Sequence, residues 1–162
     1  MVSSMNGREK QPLQVNIEWF FHTSVEKLWQ AWTDSSIVKK WFGSDPGGTV
    51  ISAKLDVIPG GHFEIDFKDS DDTFHTCFGL YTEVDLNFRL SFTWSWKSEP
   101  GHISFVKVEM EKMTNGTRMH FEHAGLNPGS AHNYETGWNN TFLKLDDYLK
   151  KESISASQND MI

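Results

Sequence analysis

Between residues 49 and about 125 the chain reads as strand and turn without interruption, and a single long amphipathic helix closes it. Ile51, Ala53, Leu55 and Val57 alternate with polar neighbours and lead into Pro59-Gly60-Gly61, a tight turn in which glycine supplies positive φ. Phe63, Ile65 and Phe67 alternate with Glu64 and Asp66, and the acidic loop Asp69-Ser70-Asp71-Asp72 precedes a strand from Thr73 to Val84. After Asp85-Leu86-Asn87 come Phe88, Leu90, Phe92, Trp94 and Trp96, an aromatic ladder on one face. Pro100-Gly101 marks the next turn, before Val106, Val108 and Met110. Asn115-Gly116 is a strong hairpin signal leading into Met119, Phe121 and His123. Ser130 is placed to cap a helix to about Lys151, along which Trp138, Phe142, Leu145 and Leu149 form one apolar stripe. A sheet of this kind buries one face, and only that helix is long enough to cover it.

The segment before residue 49 adds one strand and two short helices. Leu13, Val15, Ile17 and Trp19 alternate with Gln14, Asn16 and Glu18. Thr23-Ser24-Val25-Glu26 reads as a capping box, with Thr23 accepting from the backbone and Glu26 reaching back. Val25, Leu28, Trp29 and Trp32 share a helical face, and Asp34 or Ser35 caps a second helix holding Ile37, Val38, Trp41 and Phe42. Gly43-Ser44-Asp45-Pro46-Gly47-Gly48 ends it. The expected organisation is one α+β domain over residues 12–152, with residues 1–11 and 153–162 as flexible tails. Neither an internal repeat nor a dividing linker is visible.

Composition narrows the function classes. A chain of 162 residues with a formal charge of −7 offers no basic field for phosphate, so no nucleic-acid partner is expected. One cysteine forms no internal disulfide and supports no cysteine-based zinc finger. No apolar run approaches the roughly 20 residues of a membrane span, and Met1 to Lys10 lacks the apolar core of a signal peptide. A cytoplasmic location is therefore expected. Seven Trp, twelve Phe and three Tyr suit a thick core or an aromatic-lined cavity.

Several stretches, in this order, resemble the activator-of-Hsp90-ATPase-homologue-like family of the Bet v 1/START-like superfamily. They are Ser24-Val25-Glu26-Lys27-Leu28-Trp29-Gln30-Ala31-Trp32-Thr33-Asp34, Trp41-Phe42-Gly43 and Asp56-Val57-Ile58-Pro59-Gly60-Gly61-His62-Phe63. Gly79 to Val84, Arg89 to Trp94, Gly116 to His123 and Gly137-Trp138 continue the pattern, which spans roughly residues 13–150. The resemblance implies a helix-grip fold, an antiparallel seven-stranded sheet wrapped around a long C-terminal helix with two short helices after the first strand. Its members include co-chaperone-like domains and small-molecule binders, so it implies function weakly. The eukaryotic co-chaperone that gives the family its name has an additional N-terminal domain. This chain has no room for one, and that activity is not expected of it.

Candidate chemistry is sparse. His120 and His123 form an H-x-x-H pair, but on a strand an odd separation sends them to opposite faces, so no shared metal is expected. His123 shares the inward parity of Met119 and Phe121. It reads either as a core histidine bonded to a backbone group or as a polar handle for a ligand in an apolar cavity. Cys77 reads as a small buried hydrophobe. Glu64 and Asp66 belong on the solvent face, and His132 with Glu135 would serve acid–base work only at a cavity mouth. No nucleophile elbow, phosphate loop or dinucleotide fingerprint occurs, and no catalytic residue or cofactor is assigned.

The leading expectation is binding of an apolar or aromatic small molecule, lipid-, flavonoid- or polyketide-like, between sheet and C-terminal helix. The expected wall is Trp32, Phe63, Ile65, Phe67, Trp94, Met119, Phe121, His123, Trp138 and Phe142. The alternative is a protein-interaction module of the Hsp90 co-chaperone type, with a chaperone as partner and an exposed aromatic patch around Trp41 and Phe42. A cyclase- or hydrolase-like enzyme is a third reading.

Overall fold

A computed structural model describes residues 13–160, with side chains as far as Ile154, so the expected N-terminal tail lies outside the described residues. The element order is β1 (Gln14–Phe21), α1 (Val25–Thr33), α2 (Ser35–Trp41), β2 (Thr49–Leu55), β3 (His62–Lys68), β4 (Phe74–Asp85), β5 (Arg89–Trp96), β6 (Ser104–Met113), β7 (Gly116–Ala124) and α3 (Tyr134–Asp160). The seven strands form one antiparallel sheet in the order β1-β7-β6-β5-β4-β3-β2. Strands β1 and β2, joined through α1 and α2, are therefore its two edges, and the sheet curls around α3.

Period-two patterning becomes burial with little loss. Leu90, Phe92, Trp94 and Trp96 of β5 are buried, as are Phe63, Ile65 and Phe67 of β3. Phe88 of the expected ladder precedes β5 and is exposed. The helical stripe Trp138, Phe142, Leu145 and Leu149 is also buried. Trp32 sits among these layers, its ring 5.0 Å from Trp41, 6.1 Å from Phe142 and 6.3 Å from both Phe121 and Trp138.

Local signals moved by one or a few residues. The α1 cap is Ser24, whose side chain accepts from the Lys27 N–H, rather than Thr23; the Thr23 carbonyl instead accepts from the Thr117 hydroxyl. Asp34 caps α2. Helix α3 begins at Tyr134, where the Asn133 side chain accepts from the Thr136 N–H, because Ser130 is taken up by the Glu99 carboxylate. It continues to Asp160, past the end of the apolar stripe. The hairpin turn between β6 and β7 is Thr114-Asn115, since Met113 pairs with Gly116 inside the ladder. Gly116 is required there for space: a Cβ would lie 2.2 Å from the Phe21 carbonyl oxygen of β1. Trp41 and Phe42 are buried, so the expected exposed patch at these residues does not exist.

Candidate functional site

The core is closely filled except at one end of α3. There a cleft of about 100 Å³ lies between the segment after α2 (Phe42, Gly43, Ser44), the strands β3 to β5 (Phe67, His75, Trp94, Trp96), the loop before α3 (His132, Asn133) and the start of α3 (Tyr134, Gly137, Trp138, Thr141). Behind it is an inner cavity of about 20 Å³, walled by Trp32, Trp41, Phe42, Phe63, Ile65, Tyr81, Phe92 and Trp94 among others.

Each wall is fixed by its own polar contacts. The Lys144 ammonium donates to the carbonyls of Phe42, Gly43 and Asp45 at 3.4, 3.2 and 3.0 Å, tying α3 to the loop after α2. Partial burial lowers the Lys144 pKa. Asp45 accepts from the Ser70 N–H and hydroxyl, both at 2.7 Å, and from the Gly47 N–H, and these bonds hold its carboxyl below the usual carboxylate range. On the far side the Trp96 indole donates to the Tyr134 hydroxyl at 2.8 Å, and the His132 ring stacks on Trp96 at 3.9 Å and 11°. Burial lowers the His132 pKa, against the opposing pull of Glu99. His75 pairs with Asp69 at 2.8 Å and lies 5.6 Å from His132. The cleft is thus an aromatic slot with two imidazoles at its rim, each beside a carboxylate.

Phe67, Trp94 and Trp138 of the expected wall line this cleft, while Trp32, Phe63, Ile65 and again Trp94 line the inner cavity. Met119, Phe121, His123 and Phe142 line neither and are packed into the core. His123 is fully buried, and both ring nitrogens are engaged by side chains rather than by backbone groups. The Trp138 indole donates to Nδ1 at 3.0 Å. An indole only donates, so Nδ1 carries no proton and the neutral ring has its hydrogen on Nε2. Nε2–H therefore donates to Ser104 Oγ at 2.7 Å, and Ser104 donates onward to the Trp94 carbonyl at 3.4 Å. Burial pushes the His123 pKa down to about 3. His123 is a structural bridge between β7, β6 and α3.

His120 faces outward between Glu18 and Glu111, so the two histidines occupy opposite faces. Among the described residues no cluster of metal-ligating side chains forms. Cys77 is fully buried, and burial pushes its thiol pKa up. His132 reaches the cleft, but from the loop before α3, whereas Glu135 is exposed and outside it. Phe42, Ser44, His75, Trp96 and Tyr134 also line the cleft without having been anticipated there. Phe42 and Ser44 come from the segment after α2, His75 and Trp96 from strand ends and Tyr134 from the first residue of α3; parity aims Trp96 inward but carries no information about pairing across the fold.

Two surface features lie away from the cleft. An open hollow of about 350 Å³ on the outer sheet face is walled largely by polar and charged side chains, including Glu18, Lys107, Glu109, His120 and Glu122. On the same outer face Leu80 and Phe105 are exposed on either side of Thr93, which accepts from the Leu80 N–H and pairs with Phe105; Phe78 is exposed nearby on β4.

A curled antiparallel sheet gripping one long helix, with a cleft at the helix's first turn, defines the helix-grip class. The chain belongs to the family described as Activator of Hsp90 ATPase homolog 1-like protein, whose model matches residues 22–150. Solved structures agree with this fold. A protein from Nitrosomonas europaea superposes with a TM-score of 0.74 at 23% identity, over 88% of this chain and 97% of its own. The AHSA1 protein from Silicibacter pomeroyi gives 0.76 at 23% identity, over 86% and 99%. The AHSA1-like protein from Aeromonas hydrophila gives 0.74 at 19%, over 86% and 94%. At such identities the likeness shows the fold alone. No curated protein matches the chain. Among the described residues no helix is long and apolar enough to cross a membrane.

Proposed function

We propose that the protein binds a small apolar or aromatic molecule, without catalysis, in the cleft between β3–β5, the loop after α2 and the start of α3. The observation that carries this reading is the aromatic cleft itself, an opening left in a core that is otherwise filled with large rings. Such a wall supplies affinity through burial of apolar surface at roughly 25 cal/mol per Å², and the rim groups His75, His132 and Tyr134 supply orientation.

Size restricts the ligand. Sites for drug-sized molecules run to roughly 300–1,000 Å³, and this cleft holds about 100 Å³. A compact ligand of one or two rings is therefore favoured over a full-length lipid or an extended polyketide, and even it enters by displacing a wall side chain. The test is amide and indole shift mapping by NMR on the labelled protein against pooled aromatic, flavonoid-like and lipid-like compounds. Saturable shifts at residues 42–44, 132–138 and the Trp96 indole are expected. Silence at these residues across diverse pools refutes the reading.

A second reading, a protein-interaction module with a chaperone partner, is favoured by the family's name and by the exposed Phe78, Leu80 and Phe105 on the outer sheet face. Purified Hsp90 titrated into the labelled protein distinguishes the two, because its footprint would fall on β4 and β6 of that face and leave the cleft signals in place. On either reading the protein acts in the cytoplasm.

A further inference from the structure

Among the described residues, two buried side-chain polar atoms have no hydrogen-bond partner in the protein, and both are indole N–H groups, those of Trp32 and Trp94. Three other core tryptophans are satisfied: Trp41 donates to the Ala31 carbonyl, Trp96 to Tyr134 and Trp138 to His123. A buried donor without an acceptor forfeits its hydration, so an arrangement that keeps two of them has a cost the fold must cover. The two orphans are not scattered. Trp32 and Trp94 wall the same inner cavity, and no charged side chain shares that wall.

Phe42 and Trp94 are common to the walls of the inner cavity and the outer cleft, so the Phe42 ring helps to separate the two spaces. Phe42 is the C-cap of α2, where its ring rests edge-on against Phe67 at 5.6 Å and beside Trp94 at 6.1 Å. Turning the Phe42 ring about its side-chain bonds leaves the bond from the Phe42 N–H to the Val38 carbonyl in place. An apolar cavity of about 150 Å³ takes up benzene; neither space reaches that alone, and moving the Phe42 ring aside joins them.

We infer that the inner cavity is the blind end of the ligand site, and that it reads a neutral hydrogen-bond acceptor, a ketone, ester or ether oxygen on an aromatic ligand, through the indole donors of Trp32 and Trp94. This rests on the cleft being the binding site. The chemistry follows from the groups the wall offers. The Tyr81 hydroxyl shares the wall and can also donate, so an acceptor oxygen suits every polar group there, whereas a donating group would have that hydroxyl alone. A carboxylate would be buried without a cation, because the nearby Lys144 is held by three backbone carbonyls. A neutral acceptor satisfies the donors at the lowest desolvation cost.

The test compares 2-acetylnaphthalene with 2-ethylnaphthalene, which match in shape but differ in the acceptor, titrated into protein labelled with 15N at the indole nitrogens. The ketone is expected to bind roughly five- to ten-fold more tightly and to move the Trp32 or Trp94 indole signal, which the ethyl compound leaves in place. Trp94→Phe and Trp32→Phe assign those signals and remove the donors while keeping an aromatic ring; in the double variant the preference for the ketone falls to near unity. Phe42→Ala raises the affinity for both compounds. Equal affinities with unmoved indole signals overturn the acceptor reading while leaving the cleft as a binding site, the result expected if a trapped water already satisfies both donors. Failure of both compounds to bind wild type and Phe42→Ala alike overturns this inference and the cleft reading together.

Discussion

Lowering the pH from 7 to 5 asks His123 to take up a proton for which its surroundings have no place. In the fold, Nδ1 accepts from the Trp138 indole, and a hydrogen placed there would point at another N–H. The folded-state pKa is about 3, against an ordinary value of 6.5. Because the folded value is depressed for a base, the unfolded chain binds the proton first as pH falls. Stability from this group is therefore full above pH 6.5 and is lost progressively down to about pH 3. At pH 5 the loss is the protonation of the unfolded imidazole over one and a half units, about 2 kcal/mol at 1.36 kcal/mol per unit. That is a large share of a typical domain's 5–15 kcal/mol. The assay is urea unfolding at pH 7, 6 and 5 for wild type and His123→Gln, whose amide can still donate towards Ser104 but does not titrate. Burial also depresses His132, which acts in the same direction and cancels in the difference. The hydrogen-bonded carboxylates Asp34, Asp45, Asp66 and Asp71 titrate below their usual 3.8, outside the window. The variant is expected to be less stable at pH 7 but to lose about 2 kcal/mol less on acidification. Equal losses in the two proteins would refute the assignment of His123 as the buried neutral bridge.

Trp138→Ala is expected to cost about 3–5 kcal/mol, since it empties a buried position and leaves His123 Nδ1 without its donor; His120→Ala, on the outer face, should stay within about 0.5 kcal/mol in the same unfolding assay. Lys144→Met removes the ammonium that gathers the carbonyls of Phe42, Gly43 and Asp45. Amide exchange should then speed up by about ten-fold across residues 42–48 while the β5–β6 ladder keeps its protection. Gly79→Ala would put a Cβ 2.1 Å from the Thr93 carbonyl oxygen on the adjacent strand, so β4 and β5 must separate locally, a loss of about 3 kcal/mol that a lowered thermal midpoint would report.

The features legible in the sequence were those that repeat along an element. The alternation of Phe63, Ile65 and Phe67, or the 4-3-4 spacing from Trp138 to Leu149, fixes which face is buried before any neighbour is known. Turn and cap chemistry was legible to within one to three residues: Thr23 and Ser24 offer similar hydroxyls, Ser130 and Asn133 similar caps, and only tertiary pairing decides between them. The cleft was partly hidden for a related reason. Phe67, Trp94 and Trp138 follow from inward parity, but so do Met119, Phe121, His123 and Phe142, and parity does not separate a residue that touches a void from one that touches another ring. Phe42 illustrates the limit most clearly. In sequence it ends a two-turn helix beside a glycine-rich run, which is compatible with exposure, and only the placement of α3 against that loop buries it.

The position of the cleft follows from a mismatch of lengths. The aromatic face of the sheet extends beyond the stripe of α3: β5 carries it to Trp96 and β4 to His75, whereas the helix presents its first large apolar side chains only at Tyr134 and Trp138. Over the remaining area the sheet is covered by loops, residues 42–48 on one side and 126–133 on the other. Loops satisfy backbone groups with local polar side chains, as Asp45 does for the Ser70 N–H and Glu99 for the Ala131 N–H, and they lie at the surface rather than presenting a continuous apolar face. Hence the space opens where the sheet outruns the helix, and its rim is polar while its floor is aromatic. An α3 starting one turn earlier would cover this area, so in this chain the cleft is set by loop and helix-start residues rather than by the core of the sheet.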